Sequence, residues 1–170
     1  HVCFHCFSGL FLWICEMIIM DDLEGSYPVR IPVWWGRRGV PGPHPDVEGV
    51  SGKFIVIRHP KSFRKIESFL ARILRAPKEL RRPLDDLNSV LWELCDGKRT
   101  FEEICDLMDC TFHERIAPVR ERTSSAIVRF NQLGLIGLSK RPFDDEWDIG
   151  PGIDPTGELG TPDTKLELEW

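Results

Sequence analysis

The side chains whose types and spacing suit chemistry stand at the beginning of this 170-residue chain. Cys3 and Cys6 form a Cys-x-x-Cys pair with His1 and His5 beside it, the ligand types that zinc takes in a closed four-ligand shell. A second such pair is absent and the nearest further thiol is Cys15, so no metal site is expected. Of the five histidines, His44, His59 and His113 stand singly, next to proline or at a helix edge. General acid–base catalysis needs a positioned partner, and none can be named for them. The chain carries no phosphate loop, serine nucleophile elbow or His-Glu zinc motif. Asp144 and Asp145 read as a solvated pair in a tail. These residues therefore point to no enzyme, and no cofactor is implied.

Charge is more informative. The formal net charge is -5, which argues against a general nucleic-acid binder, since such a protein neutralises phosphates with Lys and Arg. Between Lys53 and Arg82 the balance reverses, with ten basic residues against Glu67 and Glu79. A basic stretch inside an acidic chain suits an acidic partner or an intramolecular match. The six cysteines, Cys3, Cys6, Cys15, Cys95, Cys105 and Cys110, follow no framework, so a reducing, cytoplasmic setting is expected.

The elements that must position any site begin after an irregular start. Residues 1–15 differ in composition from the rest, and a true start at Met17 or Met20 is expected. The apolar run 7–20 is interrupted by Glu16 and falls short of the roughly 20 residues of a membrane-spanning helix. No basic residue precedes it, as a signal peptide would require. Residues 1–50 read as an N-terminal arm, extended from 27 to 50 by its prolines and glycines, with Trp34 and Trp35 packing it onto the domain. Residues 51–139 read as the folded domain and 140–170 as a flexible acidic tail. Within that tail, Leu166, Leu168 and Trp170 alternate with charges, a pattern able to add a strand to a sheet and to occupy a partner's groove.

Inside the domain, residues 53–58 have the β-branched, apolar character of a strand. Residues 62–74 place Phe63, Ile66, Phe69, Leu70, Ile73 and Leu74 on one helical face, with Arg64, Lys65 and Arg72 on the other. An extended piece, 79–84, leads to Asp85 and Asp86, natural caps for a helix with Leu87, Val90, Leu91 and Leu94 on its buried face. Asp96-Gly97 ends it. Thr100 and Glu103 form a capping box for the next helix, with Ile104, Leu107 and Met108 inward. A last helix starts near Ala117 and Pro118 and buries Ile127, Phe130 and Leu133. Gly134 stops it, and residues 135–138 can return as a strand. The fold class expected is α+β: a winged helix-turn-helix-like domain with a small antiparallel sheet, three core helices and one inserted amphipathic helix.

The stretch 84–104, Leu-Asp-Asp-Leu-Asn-Ser-Val-Leu-Trp-Glu-Leu-Cys-Asp-Gly-Lys-Arg-Thr-Phe-Glu-Glu-Ile, resembles the signature of the PqqD family. Phe130 to Ile136, Phe-Asn-Gln-Leu-Gly-Leu-Ile, is similar to that family's closing helix and turn. Asn88 departs from the Gly of many relatives, and the helix 62–74 and both tails are additions. The resemblance implies a winged-helix-like, non-catalytic domain that binds the leader segment of a ribosomally made precursor peptide and presents it to a radical S-adenosylmethionine enzyme. It implies that the leader adds a strand alongside residues 79–84 and the last helix. On that basis Leu80, Arg82, Arg120, Ser124 and Ile127 are the expected contacts.

A winged-helix DNA-binding regulator is the alternative, because Arg115, Arg120, Arg122 and Arg129 surround the last helix. Glu114 and Glu121 are interleaved with them, and no basic wing follows beyond Lys140 and Arg141, so peptide binding is the stronger expectation.

Overall fold

Two tryptophans in tandem must face opposite sides of a strand, and that requirement organises the sheet. The computed structural model describes residues 22–60 and 79–170. Trp34 and Trp35 open β2 (Trp34–Arg38), which follows β1 (Tyr27–Arg30) and pairs antiparallel with β3 (Phe54–Pro60). Trp35 faces the helices, edge-on to Trp92 at 6.2 Å, whereas Trp34 faces away and meets Trp170 at 5.8 Å. β4 (Glu79–Pro83) pairs with the other side of β3.

Three helices follow. Helix α1 (Asp86–Leu94) is capped by Asp85, which accepts the Asn88 N–H at 2.8 Å. Gly97 closes the turn beyond it at φ +76°, where a Cβ would strike Phe143 and Val29. Helix α2 (Phe101–Phe112) opens with the reciprocal capping box: Glu103 accepts the Thr100 N–H at 2.7 Å and Thr100 Oγ1 accepts the Glu103 N–H at 3.2 Å. Helix α3 (Val119–Gln132) starts at Pro118, and β5 (Ile136–Ser139) returns to pair antiparallel with β1. Residues Leu168–Glu169 form β6, which pairs with β2. The architecture is mixed α+β, with a four-stranded antiparallel sheet ordered β4-β3-β2-β6 and a two-stranded β1-β5 sheet.

The core lies between the helices and the inner sheet face. Ile55, Ile57, Trp92, Leu94, Ile104, Ile127 and Leu135 are all fully buried there. Among the polar residues buried in the fold are Arg30 and Glu93. Arg30 donates from Nη1 to the carbonyls of Trp92 at 2.6 Å and Glu93 at 2.8 Å, and its guanidinium lies over the rings of Trp35 and Trp92. Burial lowers its pKa, while Cys95, Asp96 and Glu93 act against that shift. The Glu93 carboxylate accepts from Arg37 Nε at 2.7 Å and from the Ser51 N–H at 2.8 Å, so each of its buried oxygens has a donor.

The domain boundaries differ from those expected. Residues 27–30 and 34–38 are sheet strands, and Leu23, Val29, Val33, Trp34 and Trp35 belong to the core; the long irregular stretch is confined to the residues between Arg38 and Phe54. The tail is laid against the fold. Phe143 is buried and its N–H bonds the Gly97 carbonyl, Trp147 Nε1 donates to the Arg30 carbonyl at 2.8 Å, and Trp35 Nε1 donates to the Ile149 carbonyl at 3.0 Å. Aromatic anchors outweigh the Pro, Gly and acidic composition that pointed to disorder. The alternation at the end does add a strand, on the β2 edge. Gly36 permits it, since a Cβ there would sit 3.2 Å from the Glu169 carbonyl. The inserted helix 62–74, the Cys3–Cys6 pair and the proposed starts at Met17 and Met20 lie outside the described residues.

Replacing Arg30 by Met keeps bulk but strips two helix-end carbonyls of their donor, and bonds from charged donors contribute about 1.5–3 kcal/mol each. R30M is expected to lose at least about 2 kcal/mol of unfolding free energy in urea titration; an unchanged midpoint and slope would show that Arg30 is a passenger.

Candidate functional site

An open strand edge is the first feature of interest, because a row of unpaired backbone groups templates another chain. β4 terminates the four-stranded sheet, and no strand among the described residues pairs with its outer side. The Leu84 N–H bonds the Ile55 carbonyl. Since antiparallel bonding alternates, Leu80 and Arg82 also bond inward, and the N–H and carbonyl of Arg81 face outward. Pro83 has no donor, as suits an edge strand.

Side chains on this edge divide between two faces. Glu79 and Arg81 lie on the outer face with Arg58, which is buried against Trp34 at 4.5 Å and donates to Glu79 and to the Gly160 carbonyl. Burial raises the Glu79 pKa, but the hydrogen bonds from Arg58 and Arg81 outweigh it and hold the carboxyl below its usual range. Leu80 and Arg82 pair with His59 and Ile57, so they share the helix side of the sheet. Leu80 is 44% exposed. Arg82 is half-buried, and its Nε has no hydrogen-bond partner among the described residues. Burial and the Arg82 charge both lower the His59 pKa.

Where β4 hands over to α1, a half-open cavity of about 140 Å³ reaches beneath α3. Leu87, Leu91, Met108, Ile116 and Ala126 supply its apolar wall, and Asp85, Asn88, Arg122 and Thr123 complete its lining. Arg122, Ala126, Arg129 and Leu133 recur at four, three and four residues and so share one face of α3. A second cavity, about 230 Å³, lies between the start of β2, the end of β3 and the Asp154–Leu159 turn. Asp154 is consumed within that turn, where it accepts the Thr156 and Leu159 N–H groups.

Of the five expected contacts, the structure brings Leu80 and Arg82 to the open edge and removes the other three from it. Ile127 is 0% exposed and Ser124 3%, with the Ser124 hydroxyl donating to the Glu121 carbonyl. Arg120 is exposed on another side of α3, paired with Glu24 at 2.9 Å and lying over Phe101. The correction is one of helical phase: Ile127 belongs to the buried stripe with Phe130, and the cavity-facing stripe runs through Arg122 and Ala126. Fixing the phase on Phe130 identifies that second stripe from sequence. Asn88, in contrast, reaches the cavity through tertiary packing and carries no local signal.

Other chemistry is scarce among the described residues. No cluster of His, Cys, Asp and Glu could hold a metal ion, and no helix is long and apolar enough to cross a membrane. Burial pushes the Cys95 thiol up to about 12 and the Cys105 thiol to about 11, so neither is a thiolate nucleophile at neutral pH. Cys110 is exposed.

Two measurements follow from these placements. I127A is expected to cost about 2–5 kcal/mol of stability, the range for truncating a buried isoleucine; a loss confined to partner affinity would restore Ile127 as a contact. For His59 the folded pKa lies below the unfolded value of about 6.5, so its contribution is complete above that pH and is lost as pH falls through the folded pKa. Between pH 7.5 and 5, the wild type should therefore lose more stability than H59Q, and parallel losses would remove His59 from the account.

Comparison of the chain with family models, with curated proteins and with solved structures finds no match.

Proposed function

We propose that this chain is a non-catalytic adaptor whose winged-helix-like domain binds an extended peptide segment by strand addition to β4. The observation that carries the reading is the outer edge of β4, unpaired among the described residues, running into a cavity bordered by α3. Strand addition draws affinity from main-chain bonds and specificity from pockets for alternate side chains. An open edge and an adjoining apolar cavity supply both. The likeness of residues 84–104 and 130–136 to the PqqD signature supports the same reading and suggests the occupant: the leader of a ribosomally made precursor, presented to a radical S-adenosylmethionine enzyme. No cofactor is called for.

DNA binding through α3 is the rival. Of the arginines around that helix, Arg115 is engaged by Asp86 at 2.6 Å and Arg120 by Glu24. Only Arg122 and Arg129 remain without a carboxylate among the described residues, a small footprint for a duplex.

A random peptide display selection followed by NMR mapping tests the proposal. Enriched peptides should shift the amides of β4 and of the first turn of α1. R81P, which removes an outward N–H without breaking a bond to β3, should weaken them at least about tenfold, or roughly 1.4 kcal/mol, while R81A should bind nearly as wild type. Failure to enrich any peptide, or shifts confined to other surfaces, would refute the adaptor reading.

A further inference from the structure

We propose that the segment received at this site is acidic and seats one aliphatic side chain in the cavity between α1 and α3. This inference rests on the strand-addition reading and specifies what is bound. The first support is the pairing of the arginines. Arg37, Arg58, Arg81, Arg99, Arg115, Arg120 and Arg141 each have a carboxylate within salt-bridge distance. Besides Arg30, which donates to helix carbonyls, and Arg38, which lies on β2 with β3 between it and β4, Arg82, Arg122 and Arg129 have none among the described residues, although the chain carries 27 acidic side chains. Arg122 uses Nη1 only to reach the Arg115 carbonyl.

Those three arginines are not scattered. Arg82 is on β4, on the sheet face turned toward the helices, and Arg122 and Arg129 share the α3 stripe that borders the cavity. Two of the acidic groups nearby are ion-paired, Asp86 with Arg115 and Glu79 with Arg58 and Arg81, and Asp85, which caps α1, lines the cavity with its charge. Three arginines against one free carboxylate leave the border of the site with an excess of positive charge inside a chain of net charge -5. Guanidinium groups bind carboxylates through paired, charge-assisted hydrogen bonds, and complementary charge sets both register and encounter rate.

The second support is the cavity itself. It is half-open, about 140 Å³, and Leu87, Leu91, Met108, Ile116 and Ala126 make one wall of it apolar, opposite Asp85, Asn88, Arg122 and Thr123. The apolar wall offers nothing to a phosphate or a base edge. A nucleic acid would use the arginines and leave that wall idle, whereas an acidic peptide with a leucine or isoleucine uses both.

The test is fluorescence anisotropy with two synthetic peptides of about ten residues, one alternating Glu and Leu and the other Lys and Leu, together with labelled random duplex DNA. The Glu-Leu peptide should bind at least about tenfold tighter than its Lys counterpart at low salt, an advantage that added salt shrinks. The combined variant R82Q, R122Q and R129Q should abolish the preference, and A126F, which fills the cavity, should weaken binding of the Glu-Leu peptide. Circular dichroism checks that both variants fold; if A126F does not, A126V takes its place. Equal binding of the two peptides, or a preference for the Lys form, overturns the acidic assignment and leaves strand addition standing. Binding of neither peptide sinks both proposals. Duplex binding that depends on the same arginines transfers them to a nucleic acid and overturns the inference.

Discussion

The fold turns on a cation placed at the end of a helix. Arg30 brings a full positive charge to the C-terminus of α1, where unsatisfied carbonyls concentrate the negative end of the helix dipole, and it closes two of them directly. Tryptophans from β2 and α1 flank its guanidinium. The rest of the residue is equally committed: its N–H bonds the Cys95 carbonyl at 3.1 Å, its own carbonyl accepts from Trp147, and its Cα stands opposite Ile136 of β5. One residue therefore joins both sheets, a helix end and the C-terminal segment. Isolated buried charge is expensive, and this one is tolerated because carbonyl dipoles and aromatic faces replace water around it.

The consequence is carried from one end of α1 to the other. With its C-terminus fixed by Arg30 and its Glu93 clamped by Arg37 and Ser51, α1 cannot slide along the sheet. Its first turn is therefore held where β4 ends, and there the cavity lies. The two sheet edges are treated differently. β2 is covered by β6, with Lys53 and Glu169 bridging at 2.6 Å and Trp170 closing over Trp34. β4 has no such cover among the described residues.

Punctuation was legible in the sequence and long-range pairing was not. Asp85, Gly97, Thr100 and Glu103 act on backbone groups within a few residues, so their spacing alone locates α1 and α2. The contributions of residues 27–38 and 143–170 depend on partners distant in sequence, some more than a hundred positions away, such as Trp147 on Arg30 and Trp35 on Ile149. Local composition reads those segments as loose because it counts prolines and glycines and cannot register where an indole N–H will find a carbonyl. The site followed the same division. Leu80 and Arg82, named from the resemblance, lie on β4 at the sheet edge, whereas on α3 a helical phase assigned to the core was also assigned to the surface. Arg122 and Ala126, each one position before the buried Thr123 and Ile127 and so on the same side of that stripe, were missed.

Edges that stay open must still avoid indiscriminate pairing. β4 meets this constraint by brevity and by composition: with Pro83 lacking a donor and Leu80 and Arg82 bonded inward, Arg81 is the one interior residue that turns its N–H outward. Main-chain bonding of that extent is too slight by itself to hold an arbitrary strand. Any segment that does remain must gain the difference from side chains, and the side chains within reach are the arginines without carboxylates and the apolar cavity below α3. Under the strand-addition proposal, the poverty of the edge is what makes the site selective: backbone pairing sets the direction of the segment, and charge and cavity decide which segment it is.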